Sequence, residues 1–465
     1  MTVEVVSEVA GKGEKDTSAT AVRPTERLAF RPMPLPSGQT VGVVFGGPSV
    51  EHDVSIITAQ QAMAVLAERH TVVPLYIGKD GRWWTGEELR DVSAFTQAPP
   101  RGARPVELRL GAAEGPFVEP SSSRLRGDRA LAVSVVLNAI HGTGGEDGAL
   151  LGALELSGVP HAGRGVAAFA VGMDKHLAKT VLKDAGLDVL PHVRIERGEW
   201  EDDRAAVLRA VAEQVPLPCV VKPATLGSSI GVARCADAHE VEEALELAFE
   251  LDRQAVVEPF ATGATELNCA VLGRPGGELR VSEVERPLGG EAGLTFEDKY
   301  LSSGGKGGAT GAKGAAAGGG AKAAGEGADG GKVAGGAAGG GKAGGAGGTA
   351  GGGGMAAQGR VIPADIAPEL RERVRAEAAK AHRALRVAGV VRYDFFVLDD
   401  GARICVNEPN TVPGSFAFYL FEPEGLAFPD LLDELLAIGL AEAREERSTT
   451  RSFASALIDR HASAA

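Results

Sequence analysis

Short apolar runs alternate with helical patterns over the first third of the chain. Val41–Phe45 and Thr71–Ile77 have the continuous apolar character of buried parallel strands, and a helical pattern lies between them from about Val54 to Ala67. A third apolar run, Ala132–Ile140, precedes another helical pattern at about Ala149–Ser157. Strands that alternate with helices predict a Rossmann-like parallel α/β domain, in which ligands gather where the strands end.

The pattern changes after about residue 170. Pro218–Val221 and Ile230–Arg234 have the character of short strands on either side of a loop rich in Gly and Ser. Further on, Val390–Leu398 and Arg403–Asn407 flank the turn Asp399–Gly401, which predicts an antiparallel pair. The middle and the end of the chain are therefore expected to be α+β, so that the whole chain combines α/β and α+β regions.

Two segments have no hydrophobic period. Residues 1–38 are polar with scattered Pro, and 26 of the 65 glycines fall in residues 301–354. Such Gly-rich sequence cannot offset the entropy of its own ordering, so a loop insertion is predicted at about 303–354. The predicted organisation is a disordered tail at 1–38, an N-terminal α/β substrate domain at 39–170, a central subdomain at 171–262, a C-terminal catalytic subdomain at 263–445 that carries the insertion, and a tail at 446–465.

Charge and composition exclude several classes of protein. The net charge is −14 and the pI is about 5.3, whereas a general nucleic-acid or anionic-membrane binder should be basic. No apolar run reaches the roughly 18 residues of a membrane helix, and the N-terminus has no secretory signal pattern. The four cysteines show no CxxC spacing. We therefore expect a cytoplasmic protein in a reducing compartment, with no nucleic-acid or membrane partner.

The predicted antiparallel pair carries the first group of chemically useful side chains. Arg392 and Asp394 are two apart on one strand, and Glu408 and Asn410 are two apart at the end of the other, so each pair shares a face. Two carboxylates and an amide held together suit Mg²⁺, which takes oxygen ligands from few protein positions. A salt-bridged, solvent-facing strand pair explains the same spacing equally well.

The loop Lys222–Ser229 is the second candidate. Gly227–Gly231 matches the GxSxG nucleophile pattern, but that motif needs a helix after the turn and here a strand is predicted. A strand–loop–strand unit with Gly and Ser favours a flap whose N–H groups and hydroxyls cover phosphates, and Lys222 adds a point charge. The sequence contains no GxxxxGK[ST] motif, so a Walker-type site is excluded.

Two further turns follow predicted strands. Gly46–Glu51 lies between a strand and a helix start, which suits an anion or a zwitterion and offers a carboxylate for an ammonium group. Taken alone, a structural glycine turn with an acid favourable to the helix dipole explains it better. His141, which precedes a Gly-rich turn, is ambiguous in the same way.

Taken together, seven segments in order resemble the D-alanine–D-alanine ligase family of the ATP-grasp superfamily. The resemblance covers about residues 40 to 440 and implies an N-terminal Rossmann-like domain followed by a two-lobed ATP-grasp fold. The segments that carry it are GGPSVEHDVS (46–55), AIHGTGGEDGALLGALE (139–155), MDKHLAK (173–179), VVKPATLGSSIGV (220–232), DKYL (298–301), VRYDFF (391–396) and NEPNTVPGS (407–415).

The resemblance implies ATP-dependent joining of two D-alanines through an acyl phosphate, for peptidoglycan precursor synthesis, by a homodimer that uses two Mg²⁺ or Mn²⁺ ions. It assigns ATP contacts to Lys175, Lys222, Ser228, Ser229, Glu258, Glu266 and Lys299, and metal contacts to Asp394, Glu408 and Asn410. It assigns catalysis to Glu51, Ser228, Tyr300, Arg392 and the N–H of Gly414, and amino-acid binding to Glu51, His141, Tyr419 and Leu420.

The chain departs from the family pattern at two points. Tyr419 stands where the family commonly has the Ser of a Ser-Leu pair that holds the second substrate's carboxylate, so D-Ser or another amino acid is an alternative second substrate. The retained Tyr300 argues against a D-lactate-using ligase. The long insertion follows Lys299 and Tyr300, in the loop expected to close over the site; because loop entropy grows slowly with length, closure is expected to be tolerated.

Overall fold

The structure is a computed structural model that describes residues 35–97, 99–111, 115–121, 127–288 and 359–450, with the single residues 458 and 461. Its strands form three sheets, of seven, four and five strands. None of the helices in these ranges is both long and apolar enough to cross a membrane. The predicted insertion, most of the N-terminal tail, and Lys299 and Tyr300 lie outside the described residues.

The seven-stranded sheet lies in the N-terminal part of the chain and has a parallel centre. Its strands, in the spatial order β6-β5-β4-β3-β2-β1-β7, are β1 (Thr40–Gly46), β2 (Thr71–Ile77), β3 (Trp83–Thr85), β4 (Arg104–Leu108), β5 (Phe117–Glu119), β6 (Arg129–Ala130) and β7 (Val135–Asn138). β1 pairs in parallel with β2 and β7, as predicted, whereas β3 to β6 are antiparallel. A parallel crossover needs a dozen or more residues, and the connection from β2 to β3 is too short for one.

Two helices pack on this sheet, α1 (His52–Leu66) and α2 (Ala149–Leu156), and α3 (Val166–Met173) follows them along the chain. Two 3₁₀ turns, Glu87–Arg90 and Val92–Thr96, follow β3. Phe45 of β1 and Met63 of α1 are fully buried in the same core, because β1 is covered on both faces. The parallel strands β1 and β7 therefore end at one edge of the sheet, where the loops that follow them come together.

The four-stranded sheet is antiparallel, in the order β10-β9-β11-β8. Its strands are β8 (Val193–Glu196), β9 (Cys219–Pro223), β10 (Ala233–Cys235) and β11 (Gln254–Pro259). The helices in this part of the chain are α4 (Lys175–Asp184), α5 (Arg197–Asp202), α6 (Arg204–Gln214) and α7 (Ala238–Leu251). The strand predicted at Ile230–Arg234 begins only at Ala233. Gly231 has φ +70°, a left-handed conformation, so the chain is still turning at that residue.

The five-stranded sheet is antiparallel, in the order β14-β13-β12-β15-β16. Its strands are β12 (Thr265–Gly273), β13 (Leu279–Pro287), β14 (Arg360–Val361), β15 (Gly389–Leu398) and β16 (Arg403–Asn410), and the helices beside it are α8 (Pro368–Leu385), α9 (Phe418–Phe421) and α10 (Phe428–Ser448). Short 3₁₀ turns occupy Asp399–Gly401, Gly414–Ala417 and Glu422–Glu424. The sequence did not predict β13, because charged residues interrupt its apolar pattern.

The last helix, α10, joins the first and last parts of the fold. Arg69, just after α1, pairs with Asp430 at 2.8 Å and Asp433 at 2.7 Å. Arg274, just after β12, pairs with Glu442 and Glu445 at 2.9 Å each. The polar last turns of this helix therefore have charged partners on the body of the protein.

Candidate active site

A pocket lies where the ends of the three sheets meet. Its walls come from the loops after β1 and β7, the start of α4, the loop between β9 and β10, and the ends of β15 and β16. They are formed by Glu51, His141, Glu146, Gly172, Met173, Lys175, Leu226, Gly227, Ser228, Arg392, Glu408, Pro409, Asn410, Val412, Pro413 and Gly414. The motifs that the sequence singled out separately therefore converge on one cavity.

The loop between β9 and β10 reaches across to the N-terminal sheet. Ser228 and Ser229 adopt left-handed backbone angles, with φ of 53° and 59°, and the Ser228 hydroxyl donates a hydrogen bond to Glu51 Oε1. A Cβ at Gly227 would lie 3.0 Å from a Glu51 carboxylate oxygen, which is why a glycine suits this close approach. The structure thus brings Glu51 and Ser228 together, two of the three members of the predicted hydrogen-bonded set; the third, Tyr300, lies outside the described residues.

One end of the pocket is rich in buried lysines. Lys222 contacts Glu258 Oε1 and also lies 3.2 Å from Asn407 Oδ1, while Lys179 contacts Glu258 Oε2 at 2.7 Å. Burial opposes ionisation of Glu258, but the charges and hydrogen bonds of the two lysines outweigh it and hold its pKa at about 2. Glu258 is only 1% exposed, and each of its carboxylate oxygens contacts one of these two lysines.

Lys175 has a different environment from these two. It begins α4, its ammonium donates to the Leu226 carbonyl, and it lines the pocket. Burial lowers its pKa, although Glu408 and other acids partly offset that effect. Three buried ammonium groups therefore gather at this end, of which two contact Glu258 and one donates to a backbone carbonyl, and such groups suit a polyphosphate.

The opposite wall is the β15–β16 hairpin, and its register agrees with the predicted alignment. Asp394 lies directly opposite Glu408, and Arg392 lies opposite Asn410. Arg392 donates from Nε and Nη2 to the two oxygens of Asp394, at 2.7 Å each, and Asn410 Nδ2 donates to Asp394 at 3.1 Å. Burial opposes the charge of Arg392, but Asp394 holds its pKa well above the ordinary value.

The donor chemistry of this hairpin suits a hard divalent cation. Asp394 and Glu408 supply carboxylate oxygens and Asn410 supplies an amide oxygen, from adjacent strands of one rigid pair. Within the described residues, no group of three or more His, Cys, Asp or Glu has metal-holding geometry. A protein-only cage is thus not formed there, and the set resembles the sparse Mg²⁺ sites that phosphate oxygens and water complete.

Glu146 is a residue of the pocket that sequence reasoning did not single out. Its carboxylate accepts hydrogen bonds from the N–H of Gly142 at 3.0 Å, the hydroxyl of Thr411 at 3.0 Å and the N–H of Val412 at 3.1 Å. Burial and the charge of Glu51 raise its pKa to about 7. Glu146 therefore fastens the loop after β7 to the loop after β16, and an acid placed between glycines in GTGGEDG was the available signal.

His141 stands beside Glu146 and lines the pocket as predicted. Its Nε2 lies 2.9 Å from the Thr58 hydroxyl, and its Nδ1 lies 3.9 Å from Glu146. Burial and the positive charge of Arg392 lower the pKa of His141 to about 4, so the ring is neutral near pH 7.

The remaining predicted residues lie at different distances from the cavity. Gly414 lines it and opens a tight turn in which Ser415, Phe416 and Ala417 all have φ near +53°. Tyr419 is 8% exposed behind Arg392, and Leu420 is fully buried in the core. Glu266 lies on β12 within electrostatic reach of Lys222.

Lys179 was also missed, although the sequence carried a signal for it. It follows Lys175 by four residues on a helix, so both side chains share one face. Asn407 was missed because Glu408 and Asn410, which suggested a metal site, lie on the other face of the strand.

A flap from one antiparallel sheet, buried lysines beneath it and a carboxylate-bearing hairpin of a second sheet define an ATP-grasp enzyme. Two family models cover most of the chain: "D-ala D-ala ligase N-terminus" over residues 40–164 and "D-ala D-ala ligase C-terminus" over residues 181–311 and 355–437. The chain therefore belongs to the D-alanine–D-alanine ligase family of ATP-dependent ligases, which confirms the resemblance inferred from the motifs.

Individual relatives agree over nearly their whole length. The chain is 30% identical to a D-alanine–D-alanine ligase of Bacillus cytotoxicus, over 88% of this chain and 97% of the relative. It is 32% identical to one of Pelodictyon phaeoclathratiforme, over 87% and 99%. Among solved structures, the VanG D-Ala:D-Ser ligase from Enterococcus faecalis is similar, with a TM-score of 0.64, 25% identity and coverage of 86% and 99%.

A second solved structure supports the fold alone. The D-alanine–D-alanine ligase from Coxiella burnetii matches with a TM-score of 0.66 at 24% identity, covering 88% of this chain and 96% of that one. The predicted ATP-grasp architecture is thus confirmed.

Proposed function

We propose that this chain joins two D-alanine molecules into D-alanyl-D-alanine, with ATP converted to ADP and phosphate, as a step in peptidoglycan precursor synthesis. Membership of the ligase family gives the reaction class and the use of ATP and a divalent metal. The roles of individual residues, given below, are our assignment from the geometry of the pocket.

We assign ATP to the lysine end of the pocket, beneath the loop that contains Ser228 and Ser229. Lys175 and Lys222 neutralise phosphate charge, and the serine hydroxyls and loop N–H groups donate to phosphate oxygens. Glu258 and Glu266 are assigned to the adenine–ribose end. Lys299 is assigned to the γ-phosphate, from outside the described residues.

The first D-alanine binds with its ammonium group at Glu51. Its carboxylate oxygen attacks the γ-phosphorus, the bond to the ADP oxygen breaks, and the product is an acyl phosphate plus ADP. Glu51 is already held by Ser228 in the right place, and Tyr300 is assigned to complete this set. The protein contributes mainly by positioning and charge neutralisation, as in phosphoryl transfer generally.

The amine of the second D-alanine then attacks the acyl carbon. A tetrahedral intermediate forms with negative charge on the former carbonyl oxygen, and it collapses as the C–O bond to phosphate breaks. Arg392 and the N–H of Gly414, which both line the pocket, are assigned to that oxyanion. A donor of this kind contributes about 2.7–4 kcal/mol to transition-state stabilisation. His141, Tyr419 and Leu420 are assigned to the surroundings of the second amino acid.

The residues that would hold divalent metal are Asp394, Glu408 and Asn410. We propose that two ions, Mg²⁺ or Mn²⁺, bind there. Such a cation supplies charge neutralisation at the phosphate oxygens when bound. The carboxylate of Asp394 also pairs with Arg392, at 2.7 Å.

A second candidate function is ligation of D-alanine to D-serine or another amino acid. Tyr419 is the observation that favours it, since this residue replaces the family's usual Ser beside Arg392. The similarity to a structure named as a D-Ala:D-Ser ligase is compatible with this alternative.

The observation that carries the proposal is the convergence of the lysine end, Glu51 with Ser228, and the Arg392–Asp394 hairpin on one pocket. The test is phosphate release with ATP and Mg²⁺, with products identified by mass spectrometry. D-alanine alone should give the dipeptide, whereas turnover only with a D-alanine and D-serine pair would establish the alternative. L-alanine and D-lactate serve as controls and should give no product.

We further propose that the enzyme is a homodimer and that its domains divide at about residues 170 and 262. Light scattering of the purified chain would test the first statement, and limited proteolysis followed by mass spectrometry would test the second.

A further inference from the structure

The side chain of Lys179 is buried against Glu258 beneath the nucleotide end of the site. Its ammonium group lies 2.7 Å from Glu258 Oε2, and the two side chains are only 2% and 1% exposed. Among the described residues, Glu258 is the one ion-pair partner of Lys179. A lysine buried this deeply acts on a ligand only through its neighbour, so any part that it takes in the reaction must pass through Glu258.

Glu258 is shared between two lysines that differ in their access to other groups. Its Oε1 contacts Lys222 and its Oε2 contacts Lys179. The side chain of Lys222 is 10% exposed, and its ammonium group also lies 3.2 Å from Asn407 Oδ1. Lys222 therefore has a second partner within reach, whereas Lys179 has only the carboxylate.

Strand register explains why Lys222 and Glu258 meet. In the antiparallel pair of β9 and β11, Lys222 lies opposite Val256, which is two residues before Glu258. Residues two apart on a strand share a face, so both charged side chains point to the same side of the sheet. Their contact is thus part of the sheet and does not depend on a flexible loop.

The position of Lys179 is fixed by the start of α4. Asp174 caps this helix by accepting from two backbone N–H groups, and the Lys175 N–H donates to the Ala224 carbonyl at 3.0 Å, just after β9. Lys179 lies about one helical turn further along. Its ammonium group is therefore held against Glu258 by a helix that is hydrogen-bonded to the loop after β9.

The assignment of Lys222 to the phosphates of ATP requires a change of partner, because Lys222 is already paired with Glu258. When the charge of Lys222 turns to phosphate, Glu258 loses one of its two cations. A buried carboxylate with no cation is strongly unfavourable, so a single lysine would resist this exchange. With Lys179 in place, Glu258 keeps a counter-ion throughout.

We propose, on the basis of the function given above, that Lys179 is a positioning residue of the nucleotide site: it remains the fixed counter-ion of Glu258, and it thereby allows Lys222 to exchange Glu258 for the phosphates of ATP. Burial opposes ionisation of Glu258, but the charges of Lys179 and Lys222 hold its pKa at about 2. The carboxylate is therefore ionised at neutral pH and needs a cation at every stage of the exchange.

The test is a double-mutant cycle in the full-length enzyme. Its variants are Lys179→Met, Glu258→Gln and the combination of the two, with Lys179→Arg as the conservative replacement. Lys183→Met is the control, because Lys183 is exposed on the same helix. Initial rates give kcat and the KM values for ATP and D-alanine, and titration calorimetry gives the Kd for ADP with Mg²⁺. Thermal denaturation verifies that each variant is folded.

Lys179→Met should raise the KM for ATP and the Kd for ADP about tenfold to a hundredfold, because Lys222 then remains with Glu258. Its kcat at saturating ATP and its KM for D-alanine should stay close to those of the wild type. Lys179→Arg should recover most of the loss, since it restores a cation, and Lys183→Met should match the wild type. In the Glu258→Gln background, Lys179→Met should have no further effect, because no carboxylate remains for Lys179 to hold.

An unchanged KM for ATP in Lys179→Met, beside an active wild type, overturns the proposal and leaves the ligase function standing. A rise of the same size in the Glu258→Gln background also overturns it, because Lys179 would then act without Glu258. Equal losses in kcat and in both KM values overturn it as well, since they indicate a general structural role.

Two further results are covered by the same design. If Lys179→Met does not fold, Lys179→Gln takes its place in the cycle. A wild type that binds ADP but forms no dipeptide from D-alanine removes the proposed function, while the Kd values for ADP still decide whether Lys179 acts through Glu258.

Discussion

The nucleotide end and the amino-acid end of the pocket are built from the same kinds of buried charged side chains, in opposite proportions. At the nucleotide end, the ammonium groups of Lys179 and Lys222 both contact the carboxylate of Glu258, and Lys175 donates to the Leu226 carbonyl. Among these direct contacts the cations outnumber the anion, although Glu266 and Glu408 also act on Lys222 electrostatically. Buried cations without matching anions are unfavourable unless a ligand supplies the missing charge.

The amino-acid end has the reverse imbalance. Glu51, Glu146, Asp394 and Glu408 outnumber the one arginine, Arg392. These buried carboxylates repel one another. Burial and the charge of Glu51 accordingly raise the pKa of Glu146 to about 7. This end suits the cations of the reaction, which are a substrate ammonium group and a divalent metal.

Each end of the pocket is therefore completed by a ligand of opposite charge. The two reactants repel each other, because a carboxylate must approach a polyphosphate. A pocket with lysines at one end and metal-binding acids at the other neutralises both partners where they meet. A substitution that removes a charge at one end should therefore change the KM of the substrate that binds at that end.

The largest effect should come from removal of the divalent metal. Chelation with EDTA should lower phosphate release about a thousandfold or more, because the cation supplies several kcal/mol of charge stabilisation. Added Mg²⁺ should restore activity, and the thermal midpoint should change little, because Arg392 remains paired with Asp394. Full turnover in metal-free buffer would contradict the assignment of the hairpin.

Lys222→Met tests the nucleotide end. It leaves Glu258 with Lys179 alone, so we expect a loss of about 3 kcal/mol in the free energy of unfolding and a large rise in the KM for ATP. Chemical denaturation and initial rates measure the two effects. Lys183→Met, an exposed lysine of the same helix as Lys179, is the matched control and should behave as the wild type. An unchanged KM for ATP in Lys222→Met would remove this lysine from the phosphate site.

Glu51→Gln tests the amino-acid end. Loss of the charged contact to an ammonium group should raise the KM for D-alanine about tenfold to a hundredfold and leave the KM for ATP unchanged. Asp53→Asn is the control, since Asp53 is exposed two residues away and pairs only with Lys79 at 3.6 Å among the described side chains. Equal changes in both KM values would contradict the separation of the two ends.

Glu146 should make the stability of the fold depend on pH. Its pKa is raised from 4.5 to about 7 in the folded protein, so the bound proton stabilises the fold. That contribution is complete below about pH 4.5 and is lost as the pH rises through about 7, a change of about 3 kcal/mol. The free energy of unfolding of the wild type should therefore fall, relative to Glu146→Gln, over this interval.

A matched control for this measurement lies on the last helix. Burial raises the pKa of Glu434 to about 7 as well, but Glu434 does not line the pocket. Glu434→Gln should show a pH difference of the same sign and an unchanged KM for D-alanine, whereas Glu146→Gln should raise that constant. A flat difference curve for Glu146→Gln would show that its carboxylate titrates normally.

Much of the fold was predictable because periodicity reports burial directly. β2 matches its predicted bounds, and β1 differs by one residue at each end, since both strands are continuously apolar. β13 was missed because its apolar residues Leu279, Val281 and Val284 do not keep a period of two, and charged residues separate them. The antiparallel strands β3 to β6 were missed because they are only two to five residues long, too short to show a period.

Part of the candidate site was likewise predictable from the sequence, and part was not. Spacing alone predicted that Asp394 and Glu408 would face each other, because residues two apart on a strand share a face. No spacing rule could show that Arg392 pairs with Asp394 rather than with a ligand, since that pairing depends on burial and rotamer. Glu146 was likewise hidden, because its partners Thr411 and Val412 are more than 260 positions away along the chain.

In the proposed reaction, a carboxylate is activated by phosphoryl transfer between the two ends of the pocket. The most direct measurement uses D-alanine labelled with ¹⁸O in its carboxylate, with ATP and Mg²⁺, and analyses the released phosphate by mass spectrometry. An acyl phosphate route predicts one ¹⁸O in each released phosphate. The carboxylate oxygen that attacks phosphorus stays bound to it when the amine displaces the phosphate group. Phosphate without label, formed together with the dipeptide, would contradict the acyl phosphate route.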